Sequence, residues 1–225
     1  MGRAGGFFIT FEGTEGSGKS TLIQKLAVAL KPETDRIVVT REPGGQPISE
    51  KIRALLLHEG MHPSTELFLY EAARAEHLHH TIKPALENGA LLLCDRFTDS
   101  TLAYQGSARG ISWERIRMLN KIATDGITPD LTIWLDLDPA VGLSRAREFT
   151  RFEAEGVKFQ AKVRAGYARI ARSEPKRWLK LRSDRMTADE IAERVLDVVR
   201  ERWVNRGSEK KPTTAKRKKG GPSLK

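Results

Sequence analysis

The residues with the clearest chemical meaning form a glycine-rich octapeptide near the start of the chain. Its members are Gly13, Thr14, Glu15, Gly16, Ser17, Gly18, Lys19 and Ser20. Their order fits the pattern G-x-x-x-x-G-K-[ST] between an apolar run and a helical pattern, a context in which backbone N–H groups approach phosphate oxygens. We therefore predict a site for a nucleoside triphosphate, where Lys19 neutralises the transferred phosphoryl group and the Ser20 hydroxyl can bind Mg²⁺.

Arginines at and between the following strands indicate what the second ligand carries. Arg41 follows the second predicted strand and Arg96 ends the third, so both should reach the carboxyl edge of the sheet, where open parallel sheets bind ligands. Further arginines lie on helical segments or after the fourth strand: Arg53, Arg74, Arg145, Arg147 and Arg151. Guanidinium groups suit a donor triphosphate that meets an acceptor phosphate. We therefore expect an acceptor that is itself a phosphate ester.

Such an acceptor changes the chemistry that the protein must supply. A phosphomonoester has a second pKa of about 6, so its oxygen is mostly ionised at neutral pH and needs no dedicated base. Transfer then depends on positioning and on charge neutralisation. A nucleoside or sugar hydroxyl would instead require a carboxylate beside it.

The segments that must position these residues alternate between short apolar runs and longer stretches with helical spacing. Strands are predicted at 7–11, 37–40, 91–94, 131–137 and 178–181. Helices are predicted at 19–30, from the REPGG loop at 41–45 to residue 57, and at 67–87, 139–148, 154–172 and 187–203. Thr187 and Glu190 have the spacing of a capping box. This alternation predicts an α/β fold in which helices cover both faces of a parallel sheet.

Composition and charge narrow the class of protein. A hydrophobic content of 39% in 225 residues supports one large domain, and no apolar run approaches the ~20 residues of a membrane-spanning helix. The single cysteine, Cys94, excludes an intrachain disulfide and a cysteine-based zinc cage, and its apolar strand predicts burial. We expect a soluble cytoplasmic protein without membrane contact.

Much of the formal net charge of +10 lies at the C-terminus. Residues 206–225 contain eight Lys or Arg and one Glu, which leaves a net charge of +3 for residues 1–205. Because residues 206–225 lack apolar periodicity, we predict a disordered tail. Nucleic acid is one partner open to such a tail, although contact with it is not expected to be the main function. The folded domain is assigned to residues 1–205.

Five ordered motifs between residues 7 and 200 carry a family resemblance. They are FEGTEGSGKST, TREPGG, EAARAEHL, CDRFTDSTLAYQG and PDLTIWLDLDPAVGLSRAR with RFE after it. In these motifs the chain resembles the bacterial type of thymidylate kinase, a P-loop nucleoside monophosphate kinase that makes dTDP from dTMP and ATP for dTTP biosynthesis. The resemblance implies three α/β/α layers around a five-stranded parallel sheet, ATP as co-substrate, Mg²⁺, a homodimer and a lid at about 142–156.

The resemblance also implies roles for individual residues. Those expected to hold ATP are the octapeptide together with Thr21 and Arg145. Those expected at Mg²⁺ are Ser20 and Asp95. Those expected at dTMP are Glu15, Arg41, Glu42, Arg53, Tyr70, Arg74, Arg96, Thr101, Tyr104 and Gln105. Those expected to act in catalysis are Lys19, Arg41, Asp95, Arg96, Arg147 and Arg151.

Within the dTMP site, the resemblance implies which residues contact the phosphate, the base and the deoxyribose. Arg41, Arg96 and Arg53 would bind the acceptor phosphate. Arg74 and Gln105 would hydrogen-bond the base, with Thr101 shaping the pocket. Tyr104 would pack on the deoxyribose, and Glu15 would lie near its 3′-hydroxyl. Tyr70 stands where the family usually stacks a Phe on thymine, and Tyr70 is favoured for this role over the nearby Phe68.

Other readings stay open or are set aside. Another pyrimidine monophosphate or deoxynucleoside kinase is an alternative, and so is a nucleotide-dependent nucleic-acid-binding protein that uses the tail. His77, His79 and His80 are assigned to a solvated helix face rather than to a zinc site. Asp136 and Asp138, at the end of the fourth strand, are assigned structural or capping roles.

Overall fold

A computed structural model of the chain describes residues 5–145 and 150–208. Within these residues five parallel strands form one sheet with the order β2-β3-β1-β4-β5. The strands are β1 (Phe7–Glu12), β2 (Ile37–Arg41), β3 (Leu91–Asp95), β4 (Leu131–Asp136) and β5 (Trp178–Arg182). Each predicted strand is present, and the α/β prediction is confirmed.

The side chains of β1 alternate between the two faces of the sheet, as the pleat requires. Ile9 and Phe11 enter a buried cluster with residues of α1 (Lys19–Leu30) and α10 (Ala188–Ser208). Phe8 points to the opposite face, where it packs with Leu92 and Cys94. A third buried cluster joins β4 and β5 to α9 (Gly156–Ser173). Helices therefore cover both faces, which gives the predicted three layers, and Cys94 is buried as expected.

The segments between β2 and β4 contribute most of the site. After β2 come α2 (Pro47–His58) and α3 (Pro63–His77), and α3 continues through a π-helical stretch (Leu78–Ile82) into α4 (Lys83–Glu87). After β3 come α5 (Thr98–Thr101), a second π-helical stretch (Leu102–Ala108) and α6 (Trp113–Ala123). Sequence reasoning did not predict α6, because its buried face is narrow and includes the polar Asn120.

The last third of the chain departs from the prediction mainly at helix ends. α7 (Pro139–Arg145) precedes the segment 146–149, which lies outside the described residues. The helix predicted at 154–172 is divided into α8 (Arg151–Ala154) and α9. The predicted capping box is confirmed: the Glu190 N–H donates to Thr187 Oγ1 (3.2 Å), and the Thr187 N–H donates to Glu190 (2.7 Å).

α10 extends three residues beyond the predicted domain boundary at 205, to Ser208. The predicted tail is otherwise outside the part of the chain that the structure describes. In that part, no helix has the length and apolarity needed to cross a bilayer.

Candidate active site

The glycine-rich loop between β1 and α1 lies at the carboxyl edge of the sheet. Gly13 and Gly16 have positive φ angles of 147° and 71°. A Cβ atom at Gly16 would lie 2.4 Å from the carbonyl oxygen of Gly142, and one at Gly13 would lie 2.6 Å from that of Leu135. Glycine is therefore required at both positions by backbone conformation and by close approach.

Polar groups of this loop have few protein partners. Lys19 is buried, and its Nζ donates long hydrogen bonds to the carbonyls of Gly13 (3.4 Å) and Thr14 (3.3 Å). Burial, reinforced by Arg96, lowers the pKa of Lys19. Thr14 Oγ1 and Ser17 Oγ are buried without a hydrogen-bond partner among the described residues. Because buried polar groups normally have partners, this loop is suited to an external ligand with several acceptor oxygens.

Ser20 and Asp95 approach each other beside the loop. Ser20 Oγ lies 3.4 Å from Asp95 Oδ2, and Asp95 Oδ1 is buried with no partner in the described chain. Hydroxyl and carboxylate oxygens are ligands that Mg²⁺ accepts, and Mg²⁺ takes its remaining ligands from water and phosphate. The two residues therefore fit the predicted metal position.

A cavity of about 240 Å³, here called the loop cavity, opens on one side of the glycine-rich loop. It is lined by Gly16, Ser17, Gly18, Thr21, Leu22, Leu135, Arg145, Ser183, Met186, Ala188 and Ile191. Thr21 and Arg145 were predicted for ATP. Sequence reasoning missed Ser183 and Met186, which follow β5 and carry no motif.

A larger cavity of about 300 Å³, here called the arginine cavity, opens on the other side of the loop. It is lined by Glu15, Glu42, Pro43, Arg53, Leu57, Tyr70, Arg74, Arg96, Phe97, Ser100, Thr101, Tyr104, Gln105, Thr150, Phe152 and Glu153. Nine of the ten residues predicted for dTMP are in this set. Glu15 lines this cavity and Gly16 lines the loop cavity, so the two cavities adjoin at one peptide bond.

Arg74 is held in the wall of the arginine cavity by four hydrogen bonds to protein acceptors and by an ion pair with Glu71. Nε donates to Glu42 (2.8 Å), and Nη1 faces Asn120 Oδ1 (2.9 Å) and Glu71 (3.0 Å). Nη2 donates to Thr101 Oγ1 (2.9 Å) and to a backbone carbonyl at 3.3 Å. Burial alone would lower the pKa of Arg74, but Glu42 and Glu71 raise it above its usual value. Arg74 is therefore a fixed cation.

Arg96 projects from the end of β3 into the same cavity. Its φ of 69° places a non-glycine residue in the left-handed region, a strained conformation that active sites often retain. Nη1 lies 3.3 Å from Ser100 Oγ and 3.2 Å from the Tyr167 hydroxyl, and Nη2 lies 3.7 Å from Glu15. The Arg96 guanidinium also lies over the Tyr104 ring, 5.2 Å from its centroid.

Glu12 is linked to Arg96 through Ser100 and Tyr167, and sequence reasoning missed this residue. Its carboxylate accepts hydrogen bonds from Ser100 Oγ (2.6 Å), the Tyr167 hydroxyl (2.9 Å) and the Phe97 N–H (2.9 Å). Burial and the nearby Asp99 raise the pKa of Glu12 to about 7. Ser100 and Tyr167 thus connect the acidic Glu12 to the guanidinium of Arg96.

Glu15 is the acidic residue within the glycine-rich loop. Lys19 lowers its pKa despite partial burial, and Arg96 acts in the same direction. Glu15 is therefore a carboxylate at the border of the two cavities, beside the guanidinium of Arg96.

The structure does not bring Arg41 into the arginine cavity. Arg41 Nη2 donates to both oxygens of Glu50 (2.8 and 2.9 Å), and the two side chains are 52% and 42% exposed. Arg53 does line the cavity, and its Nη1 donates to the Pro43 carbonyl (3.0 Å). The phosphate-binding role predicted for Arg41 therefore has no geometric support of the kind that Arg53 and Arg96 have.

Among the predicted lid arginines, Arg151 is paired inside the protein. Its Nη1 lies 2.5 Å from Glu66 Oε2, its Nε donates to the Leu56 carbonyl (2.6 Å), and it stacks over Phe152. Arg147 lies outside the described residues.

The aromatic side chains of the arginine cavity agree with the choice of Tyr70 over Phe68. Tyr70 lines the cavity, whereas Phe68 is 59% exposed. Phe152, which sequence reasoning did not assign to the site, lies between Tyr70 and Tyr104 with ring centroids 6.5 and 5.8 Å away.

The prediction of a solvated helix face is wrong for His77. His77 is fully buried, with Nδ1 3.0 Å from Glu42 and Nε2 2.6 Å from Thr40 Oγ1. Glu42 therefore links His77 to Arg74, and burial follows from this pairing. The structural role of Asp136 is confirmed by its contacts with Arg164 (2.5 Å) and Lys180 (3.0 Å).

Asp138 has the predicted capping role, since its Oδ1 accepts a hydrogen bond from the Ala140 N–H (2.9 Å) at the start of α7. In the described part of the chain, no cluster of three or more His, Cys, Asp or Glu residues could hold a metal ion.

Comparison with known proteins gives a consistent picture. The family model described as thymidylate kinase matches residues 11–194. The thymidylate kinase of Geobacter sulfurreducens is 52% identical over 186 residues, which cover 77% of this chain and 87% of that protein. That of a Synechococcus species is 47% identical over 196 residues, covering 87% and 96%. The crystal structure of thymidylate kinase from Ehrlichia chaffeensis superposes with a TM-score of 0.74 at 34% identity, covering 87% of this chain and 99% of that one.

Proposed function

This chain belongs to the thymidylate kinase family and phosphorylates dTMP to dTDP with ATP as donor, and we propose that dTMP occupies the arginine cavity while ATP occupies the loop cavity. The observation that carries this assignment is the junction of the two cavities at residues 15 and 16. Two phosphorylated ligands placed in them would meet end to end at the glycine-rich loop.

Transfer in this arrangement uses positioning and charge rather than a protein base. Arg96 and Arg53 hold the phosphate of dTMP, whose ionised oxygen attacks the γ-phosphorus of ATP in line. The bond from that phosphorus to the β,γ-bridging oxygen breaks, and ADP leaves with the negative charge. Lys19 neutralises charge on the transferred group from inside the glycine-rich loop.

We propose that Ser20 and Asp95 hold Mg²⁺ together with phosphate oxygens of ATP. When bound, the metal supplies charge neutralisation at the phosphates. Asp95 thereby acts through the donor, while Arg96, the next residue along the chain, acts on the acceptor.

The nucleoside of dTMP is proposed to lie deeper in the arginine cavity. Tyr70 stacks on the base, Arg74 and Gln105 face its polar edge, and Tyr104 packs on the deoxyribose with Glu15 near the 3′-hydroxyl. Thr101, whose hydroxyl accepts from Arg74, and Glu42, which pairs with Arg74, keep that wall in place.

The lid is proposed to comprise residues 142–156. Arg145 lines the loop cavity at its start, and Phe152 and Glu153 line the arginine cavity near its end. Closure of this segment would bring Arg145 and Arg147 to the phosphates of ATP, while Arg151 stays paired with Glu66.

The function is tested by measuring ADP release with dTMP, dUMP, dCMP and thymidine as acceptors. Turnover with dTMP and none with thymidine is expected, because only the monophosphate brings an ionised nucleophile and the charge that the arginines bind. Turnover with thymidine in the absence of turnover with dTMP would contradict the acceptor assignment.

We further propose a homodimer that forms through α3 and α6, which pack against each other. The outer residues Phe68, Met118 and Ile122 are 59%, 58% and 69% exposed, and large exposed apolar side chains are common at subunit interfaces. The mass in solution should fall to that of a monomer in Phe68→Glu but not in Val28→Glu, a control on the distant α1. A monomeric wild-type protein would contradict the proposal.

A cytoplasmic location stays a prediction. For the basic tail, we propose that it is dispensable for the kinase reaction. A chain truncated after Ser208 should keep the kcat of the full chain, and a loss of turnover would show that the tail takes part.

A further inference from the structure

Glu66 is a buried carboxylate that lies behind the wall of the arginine cavity rather than in its lining. It belongs to α3 and is 1% exposed. Arg151 Nη1 (2.5 Å) and Arg109 Nη2 (3.3 Å) contact its Oε2. Gln105 Nε2 donates to its Oε1 (2.8 Å), which Arg109 Nε also contacts at the longer distance of 3.4 Å. One side chain thus connects α3, the second π-helical stretch and α8.

The charge of Glu66 fixes which end of the Gln105 amide faces it. Arg151 and Arg109 both donate to Glu66, and a carboxylate paired in this way only accepts hydrogen bonds. The group that Gln105 presents to Glu66 must therefore be its NH₂. The carbonyl oxygen of Gln105 is left for a ligand in the cavity that this residue lines.

We propose that Glu66 is a positioning residue that sets base specificity by holding the Gln105 amide in this one orientation. The inference rests on the proposed binding of dTMP in the arginine cavity. Thymine and uracil carry a hydrogen on N3 and can donate to the Gln105 carbonyl, whereas N3 of cytosine is itself an acceptor. The fixed amide therefore favours dTMP and dUMP and rejects dCMP.

Replacing Glu66 by glutamine reverses this arrangement without changing the size of the side chain. The amide at position 66 has one oxygen, which stays at the Oε2 position because the contacts there with Arg151 Nη1 (2.5 Å) and Arg109 Nη2 (3.3 Å) are shorter than that of Arg109 Nε with Oε1 (3.4 Å). Its NH₂ then faces Gln105, which must turn its own oxygen to position 66 and its NH₂ to the cavity. That NH₂ suits N3 of cytosine and repels N3–H of thymine.

The test compares kcat/KM for dTMP and dCMP in the wild type, Glu66→Gln and Glu76→Gln. In Glu66→Gln we expect kcat/KM to fall about tenfold for dTMP, mainly through KM, and to rise for dCMP. Glu76 is the matched control, since it lies on the same helix and contacts His80 (3.4 Å) but has no hydrogen bond to Gln105 among the described contacts. Its variant should keep the wild-type ratio.

An unchanged ratio in Glu66→Gln, or an equal change in both variants, would overturn the inference. A wild-type protein that does not phosphorylate dTMP would instead overturn the proposed function, so the two failures are distinguishable. If Glu66→Gln fails to fold, NMR of the Gln105 side-chain amide in the wild type decides. Its NH₂ signals should barely shift when dTMP binds, and a large shift would mean that the NH₂ faces the base.

Discussion

The arginine cavity and the loop cavity differ in how far their polar groups are already paired. In the arginine cavity, Arg74 donates four hydrogen bonds to protein acceptors, and Arg96 is held by Ser100 and Tyr167. Beside the loop cavity, Lys19 has only long hydrogen bonds, and the hydroxyls of Thr14 and Ser17 have no partner among the described residues.

The two ligands therefore bind to sites of different kinds. The acceptor enters a site whose charges are fixed before it arrives, which favours selectivity because a wrong base leaves buried groups unpaired. The donor enters a loop whose hydrogen bonds are completed by its own phosphates. The arginine cavity therefore determines selectivity for the acceptor, and the loop cavity provides charge neutralisation for the donor.

The largest expected effect comes from breaking the paired network at Arg74. Arg74→Leu leaves Glu42 and Glu71 buried without their cation, and the free energy of unfolding should fall by about 3–5 kcal/mol. Urea denaturation measures this loss. Arg41→Leu, which removes an exposed pair with Glu50, should cost about 0–1 kcal/mol. Similar losses in the two variants would refute the contrast between fixed and exposed arginines.

The loop side should respond in rate rather than in stability. Lys19→Ala removes the cation that neutralises the transferred group, and kcat with dTMP should fall by about 10²–10³-fold. The preference for dTMP over dCMP should stay as in the wild type, because it is set in the other cavity. Lys25→Ala, on the exposed face of the same helix, is the matched control and should keep the wild-type kcat. A loss of the preference for dTMP over dCMP in Lys19→Ala would contradict the assignment of base selection to the arginine cavity.

A smaller effect is expected from the pH dependence of stability at Glu12. Its folded pKa of about 7 lies above the ordinary glutamate value of 4.5, so the folded state binds more protons than the unfolded state between these values. Stability from this group is therefore full below about pH 4.5 and is lost as pH rises through about 7. The Tm of the wild type should fall by a few degrees relative to Glu12→Gln over that range. A constant difference in Tm would contradict the raised pKa.

The smallest effect is expected at Ser17, whose hydroxyl has no partner in the part of the chain that the structure describes. Ser17→Ala should leave the free energy of unfolding unchanged or raise it by up to about 1 kcal/mol, because a buried unsatisfied group is removed. The same variant should bind ATP about tenfold more weakly, as titration calorimetry would show. A clear loss of stability without ligand would mean that the hydroxyl is already paired in the protein.

The sequence predicted best those features that short stretches determine. The glycine-rich octapeptide and the apolar strands are local patterns, so the loop, the sheet and the three layers followed directly. Arg74 and Arg96 were placed correctly in one cavity, because strand ends and the helices between them converge on one edge of a parallel sheet.

The features that sequence reasoning missed depend on contacts between distant residues. Glu12 and Tyr167 are 155 residues apart, and no motif joins them. His77 is buried because Glu42 and Thr40 pair with it, whereas the sequence analysis assigned it, with His79 and His80, to a solvated helix face. Ser183 and Met186 line the loop cavity because β5 ends beside the glycine-rich loop, and this proximity depends on the tertiary structure rather than on a sequence motif.

Hydrogen–deuterium exchange with single ligands tests the division between the cavities most directly. A non-hydrolysable ATP analogue alone should increase protection mainly at residues 13–20, while dTMP alone should bind measurably and change protection little at residues 63–108, where the network already exists. Binding of dTMP only after the ATP analogue would contradict this division, and so would a stronger ordering of residues 63–108 by dTMP than of the glycine-rich loop by the analogue.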